Sequence, residues 1–332
     1  MKKWLIFIYI FVLLTATAVA LSVGASHLDH LWQVLLHPHS TTFPGDRNIL
    51  WQIRVPRIAT ALLVGAALGG AGVMAQGACN NPLAEPAIVG TSAGAAFGVV
   101  VGLLANVVAI GSLGAIICGI FGGLAASMLT LHLARTREDQ ASVVLIIVGI
   151  ATSATIAAMV GITTAMISRA DARSVSFWTW GSLALTTGKD LWVLAPVVVL
   201  GISGAWFIAP RLDLLSFGDS TARHIGIDPV KTRRIALIAL SILVAGAVST
   251  VGSIAFLGLA APHIARLGFG PRHRPLVLHS AVVGAAILLI ADTAARTVAA
   301  PRELPIGLIT ALIGAPILIT LVRRNIDVWR VQ

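Results

Sequence analysis

Long apolar runs, separated by short polar or Gly/Pro-containing gaps, recur from one end of the chain to the other. They read as Trp4 to Val23, Arg57 to Gln76, Ile88 to Leu104, Gly111 to Leu133, Val143 to Ile167, Leu191 to Ala209, Ile235 to Ser253, Phe256 to Leu267, Leu276 to Thr297 and Pro305 to Leu321. Most approach or exceed the roughly 18 residues that a helix needs to cross a bilayer. A membrane barrel would instead require short segments of alternating polarity. The pattern predicts an all-α polytopic membrane protein with about ten transmembrane helices. The eighth run is too short for an ordinary crossing, so it is expected to be a half-helix enclosed by protein.

Between the first two runs, Leu28, Leu31, Leu35 and Leu36 recur at helical spacing within the segment from Gly24 to Arg54, which predicts an interfacial helix. His27, His30, His37 and His39 share that segment. A histidine pair three apart can ligate a metal or contact haem, but no carboxylate or thiolate joins these at a ligand spacing, so solvated loop histidines are the plainer reading and no metal site is assigned. Gly72 is followed ten residues later by Pro82, and Gly252 ten residues later by Pro262. That coincidence hints at an inverted-repeat relation between helices 2–5 and 7–10, a design found in transporters.

Composition supports the membrane reading: of 332 residues, 57% are hydrophobic and only 11% charged, too apolar for an ordinary soluble domain. The net charge of +10 would suit a nucleic-acid partner if it were gathered on one soluble face. It is scattered through the gaps instead, and no nucleic acid is expected. With both termini on the cytoplasmic side of a bacterial inner membrane, the 23 Lys and Arg residues divide fifteen inside to eight outside, as topology rules favour. Ala18-Val19-Ala20 resembles a signal-peptide cleavage site, but the run containing it is long enough to span and is expected to be retained. Cys79 and Cys118 lack framework spacing and read as packing residues.

The most informative polar stretch runs from Leu212 to Pro229. Asp219 or Ser220 can cap a short helix, Gly226 can end it, and Pro229 prevents its continuation. A connection of roughly 25 residues is too long for an unstructured link. The chain is therefore expected to form one domain over 1–332, with a structured loop at 211–234. This stretch resembles the coupling-helix signature of the FecCD-type importer permeases. Other segments resemble the same family in order along the chain: Arg54-Val55-Pro56-Arg57; Gln76 with Asn81-Pro82-Leu83-Ala84-Glu85-Pro86; Gly90-Thr91-Ser92-Ala93-Gly94-Ala95; Trp178-Thr179-Trp180-Gly181-Ser182-Leu183; Pro262-His263-Ile264-Ala265-Arg266; Ala291-Asp292-Thr293-Ala294-Ala295-Arg296; and Glu303-Leu304-Pro305-Ile306-Gly307.

The resemblance implies a permease that works as a homodimer or close heterodimer with two cytoplasmic ATPase subunits and an extracytoplasmic binding protein. It implies that Gly218, Asp219, Ser220, Ala222, Arg223 and Gly226 engage the ATPase, that Arg54, Arg57 and Arg296 dock the binding protein, and that Ser142 and Val143 lie at a cytoplasmic gate. Arginine forks suit docking because they pair bidentately with carboxylates. Val143 stands where the family often has a second hydroxyl residue. The expected cargo is an iron chelate, with a ferric siderophore favoured and haem or a corrinoid as alternatives. The chain itself is expected to hold no cofactor; lacking a Gly-rich phosphate loop ending in Lys and Ser or Thr, it leaves ATP and Mg²⁺ to the partner ATPase. Asp292, inside a span, is expected to pair with Arg296 four residues on. His263, beside Pro262, is expected to help satisfy backbone groups at a half-helix end. An ion-gradient-driven transporter would have only Asp292 as a midplane carboxylate, and no Ser/His, paired-Asp or zinc constellation supports an intramembrane enzyme.

Overall fold

The structure, a computed structural model, describes residues 2–24, 28–37, 42–109, 112–134, 141–300 and 302–316. Among these, all regular structure is helical: α1 (Lys2–Ser22), α2 (Leu31–Leu36), α3 (Pro44–Asn48), α4 (Val55–Cys79), α5 (Thr91–Leu104), α6 (Leu113–Leu133), α7 (Ala141–Met166), α8 (Arg169–Thr179), α9 (Leu191–Leu215), α10 (Asp219–His224), α11 (Pro229–Val251), α12 (Leu257–Phe269), α13 (His273–Ala295) and α14 (Ile306–Pro316). Six helical stretches are long and apolar enough to cross a membrane, and Phe7–Ser22, Thr91–Leu104 and Ile306–Pro316 are shorter apolar helices. Each apolar run read from the sequence has the greater part of its described residues on one of these helices.

The centre of the bundle is α4, with 20 of its 25 residues buried, whereas the best spanning stretch of α7 is only 22% buried. Helices surrounded by lipid gain little from hydrophobic burial against one another, so close packing must hold them. Glycines on α4 supply it. Gly65 lies against the backbone of Gly284, Gly69 against that of Ser280, and Gly72 against the carbonyl of Gly258 and the ring of Pro262. A Cβ at any of these positions would enter the facing backbone. Thus α4, α12 and α13 form one tightly seated unit.

At its start, α4 continues a π-wound turn, Ile49–Arg54. The wider turn stops just before Val55-Pro56, where a missing proline N–H interrupts the ordinary helical ladder.

The short helix α12 has eight of its thirteen residues buried, as expected of an enclosed half-helix. Its entry is a left-handed Phe256 (φ 64°), whose N–H donates to Glu85 Oε1 at 2.8 Å. A carboxylate from the α4–α5 turn thereby satisfies an orphan donor at a helix N-terminus. Pro82 lies in the turn after α4, but Pro262 lies inside α12. The Gly–Pro spacing noted in the sequence therefore does not mark equivalent positions.

No apolar run predicts α8, because its polar composition hides the turn in which Val175 and Trp178 pack with Val99, Leu103 and Ala115. The segment expected to hold a helix between the first two runs forms the six-residue α2, with Val34 buried and Trp32 and Leu36 exposed.

Replacing Gly72 by Val should lower the thermal unfolding midpoint of the detergent-solubilised protein, at a cost of about 1–3 kcal/mol or more from overpacking. Gly45→Ala, where a Cβ meets no atom within 4 Å, should leave the midpoint unchanged.

Candidate functional site

Two polar constellations occupy opposite ends of α4. At its first turn, the Arg57 fork clamps two acids. Its Nη2 donates to Asp292 Oδ1 at 2.8 Å, its Nε to both Asp292 oxygens at 3.0 and 3.1 Å, and its Nη1 to Glu303 Oε1 at 2.8 Å. The Asp292 side chain is fully buried and that of Arg57 is 8% exposed. Arg296 lies beside them, its Nε 3.5 Å from Asp292 Oδ2, while its Nη2 donates to the carbonyl of Ala20 at 2.6 Å. Arg54 Nη1 donates to the carbonyl of Leu21. Both carbonyls belong to the last turn of α1, where helix carbonyls lack partners and the dipole favours cations.

The expected Asp292–Arg296 pair is present at 3.5 Å, but the closer partner of Asp292 is Arg57, which approaches across the α4–α13 interface and presents its fork. The three arginines are not displayed on the surface, being 2%, 7% and 4% exposed at Arg54, Arg57 and Arg296. They are gathered in one place and engaged inside the chain.

At the other end of α4, α10 projects between α9 and α11. Its N-cap is Gly218 in a left-handed conformation (φ 96°), rather than Asp219 or Ser220. The Asp219 carboxylate is held elsewhere: both its oxygens accept from the Arg233 fork at 2.7 Å, and Arg233 Nε donates to the carbonyl of Ala78 at 3.1 Å. Gly226 (φ 83°) closes the helix as expected, with its N–H donating to Arg223 O and that of Ile227 to Ala222 O, each at 2.9 Å. Asp228 then caps α11 by accepting from the Lys231 N–H at 3.1 Å. Ala222 is fully buried, so it seats the helix and faces no partner. Ser220, Thr221, Arg223 and His224 are exposed, flanked by the exposed side chains of Phe217 and Ile225.

Beside α10, the Asp213 carboxylate accepts from the backbone N–H of His273 at 2.9 Å and contacts its Nδ1 at 2.7 Å, which joins the end of α9 to the start of α13. Arg266 Nη2 donates to Gln76 Oε1 at 2.6 Å, bringing together two of the motif segments. Ser142 lies in the first turn of α7 and Val143 is exposed there, while 135–140 fall outside the described residues. His30 stacks on Phe43 with ring centroids 3.7 Å apart and sits 3.4 Å from Asp46. His27 and His39 lie outside the described residues.

The sequence matches the model of the FecCD transport family over residues 9–324. The chain belongs to that family. It is 36% identical over 283 residues to the iron(3+)-hydroxamate import system permease FhuB of Bacillus subtilis strain 168, covering 84% of this chain and 72% of that one. It is 37% identical over 252 residues to the cobalamin import system permease BtuC of Halobacterium salinarum, covering 76% and 67%. A solved chain of a metal-chelate type ABC transporter, in an inward-facing conformation, superposes with a TM-score of 0.83 at 28% identity, covering 97% of this chain and 99% of that one. As a FecCD permease, the chain is a multi-pass membrane translocation subunit rather than an enzyme, and ATP hydrolysis belongs to a partner.

Sequence reading gave no site role to Arg233, Glu303, Phe217 or Ile225. Glu303 stood inside a recognised motif and could have been matched to Arg57. The Arg233–Asp219 pair is fourteen residues apart across a turn, beyond any periodic signal.

Replacing Arg57 alone by Met should leave Asp292 buried without its main partner and destabilise the protein by about 3–5 kcal/mol, read as a lowered unfolding midpoint. Adding Asp292→Leu should restore most of that loss.

Proposed function

We propose that this FecCD permease is the membrane-spanning subunit of an ATP-binding-cassette importer that brings an iron chelate, with a ferric siderophore favoured, into the bacterial cytoplasm. Two copies, or one copy and a close relative, assemble with two ATPase subunits on the inner side and a binding protein on the outer side. The α10 end of the bundle and both termini face the cytoplasm.

The observation that carries this reading is α10: a six-residue helix, fixed by glycines at both ends and by the Asp219–Arg233 pair, with one face exposed. That face, formed by Ser220, Thr221, Arg223 and His224 between Phe217 and Ile225, is the surface offered to the ATPase. Gly218 and Gly226 supply the backbone shape, and Asp219 and Ala222 hold the helix to its own chain. Closure of the ATPase pair on nucleotide would push on this rigid element and switch the access of the central path between the two sides.

At the opposite end, Arg54, Arg57 and Arg296 set three guanidinium groups beside Asp292, Glu303 and Asp46. The binding protein docks over this end of the bundle, its acidic side chains meeting the arginine cluster at its rim. Ser142 and Val143, at the start of α7, guard the inner mouth of the path.

The cargo reading draws on a cavity of about 300 Å³ among α5, α7, α8 and α11, lined by Ser92, Ala96, Trp178, Thr179, Val248 and Ser253, with no charged group among the described residues of its wall. Such a wall suits a chelate whose ligand shell has already neutralised its metal.

When the ATPase is co-expressed, it should co-purify with this chain. Arg223→Ala should weaken the association and deletion of 218–226 should abolish it, as measured by subunit stoichiometry. Uptake of a ferric siderophore into liposomes by the purified chain without ATPase or ATP would contradict the proposal.

A further inference from the structure

We propose that Arg233 is a positioning residue that fastens α10 to the inner end of α4, so that movement of α10 is delivered to the helix that carries Arg57 at its other end. The inference rests on the reading of α10 as the ATPase contact.

The chain continues from α10 into α11 through Gly226 to Asp228, so α11 must follow α10 by covalent connection. No covalent segment joins α10 to α4, and the two are linked through α11, which packs on α4; the Arg233 side chain, in the second turn of α11, adds a direct hydrogen-bonded bridge from α10 to the end of α4. Two of its N–H groups grip Asp219, the first residue of α10, and a third reaches the carbonyl of Ala78 in the last turn of α4. The site is largely shielded, with the Arg233 side chain 13% exposed and that of Asp219 19%, so water competes weakly for these bonds. The acceptor on α4 is a helix-terminal carbonyl without an intrahelical partner, at the dipole end that favours a cation. A lysine could not reproduce this arrangement, because one ammonium group cannot fill a bidentate carboxylate and also donate to a carbonyl on its far side.

What α4 receives it must carry as a body. From Arg57 to Ala78 the helix rises about 31 Å at 1.5 Å per residue, close to the thickness of a bilayer core. Its glycine face seats it directly on the backbones of α12 and α13, leaving no compressible side-chain layer between them. At the far end Arg57 holds Asp292 of α13 and Glu303. A displacement applied at Ala78 therefore reaches the arginine cluster through a stiff, continuous unit.

The test uses the assembled permease–ATPase complex in nanodiscs, with Cys79 and Cys118 replaced by Ala and a spin label on Arg302→Cys, an exposed position beside Glu303. The distance between the labels of the two permease copies is measured without nucleotide and after trapping with ATP and vanadate. The parent complex should show a shift on trapping. Normalised to trapped nucleotide, that shift should fall at least fivefold in Arg233→Gln, fall part-way in Arg233→Lys, and fall no further in the Asp219→Asn, Arg233→Gln double variant, since the two residues act as one contact. A full shift in Arg233→Gln would overturn the proposal. So would a full shift in Arg233→Lys where Arg233→Gln fails to assemble, because charge alone would then suffice. If the parent complex traps no nucleotide or shows no shift, the fault lies with the reading of α10 itself.

Discussion

Close approach of backbones along the glycine face of α4 is the constraint on which the rest of this structure depends. In a lipid environment the hydrophobic effect does little to hold one apolar helix against another. What remains is contact, and contact is best where side chains are absent. Gly65, Gly69 and Gly72 allow α4 to meet Gly284, Ser280 and Gly258 at backbone distance, and this unit forms the middle of the bundle. Outer helices such as α7, which packs on α5 and α6, keep apolar faces that remain largely exposed.

Burying α4 so deeply places polar groups at its ends where water cannot serve them, and each end answers with arginine. At the first turn, Arg57 neutralises a carboxylate that would otherwise be intolerable inside the bundle, while Arg54 and Arg296 satisfy the terminal carbonyls of α1. At the last turn, Arg233 satisfies the carbonyl of Ala78 and fixes the first residue of α10. These groups are structural necessities of the fold, and they also lie where the proposed partners would bind. The same forks can thus hold the subunit together and register a partner's pull.

Much of this was legible in the sequence. Apolar runs with Gly and Pro breaks marked the helices because the bilayer imposes a length on each, and Gly226 and Pro229 marked the end of α10 because only a left-handed residue and a blocked N–H stop a helix so abruptly. The amphipathic α8 was not legible: its polar residues outweigh Val175 and Trp178, and the partners that bury them lie on α5 and α6. Nor was the pairing of charges. The motifs brought Arg57, Asp292, Arg296 and Glu303 to notice, but an i,i+4 rule favoured Asp292 with Arg296, whereas the three-dimensional interface supplies a better-directed fork from 235 residues away. The N-cap of α10 was misread for a similar reason, since the distant Arg233 claims the carboxylate that local rules would assign to capping.

The central claim is that α10 is the inner-side surface on which an ATPase acts. It is tested most directly by placing a cysteine at Thr221, with Cys79 and Cys118 replaced by Ala, and treating spheroplasts and inverted membrane vesicles with a membrane-impermeant maleimide. Labelling only in inverted vesicles, and its suppression when the ATPase subunits are bound, is the predicted result. Labelling in intact spheroplasts, or labelling in inverted vesicles that the ATPase leaves unchanged, would contradict the account.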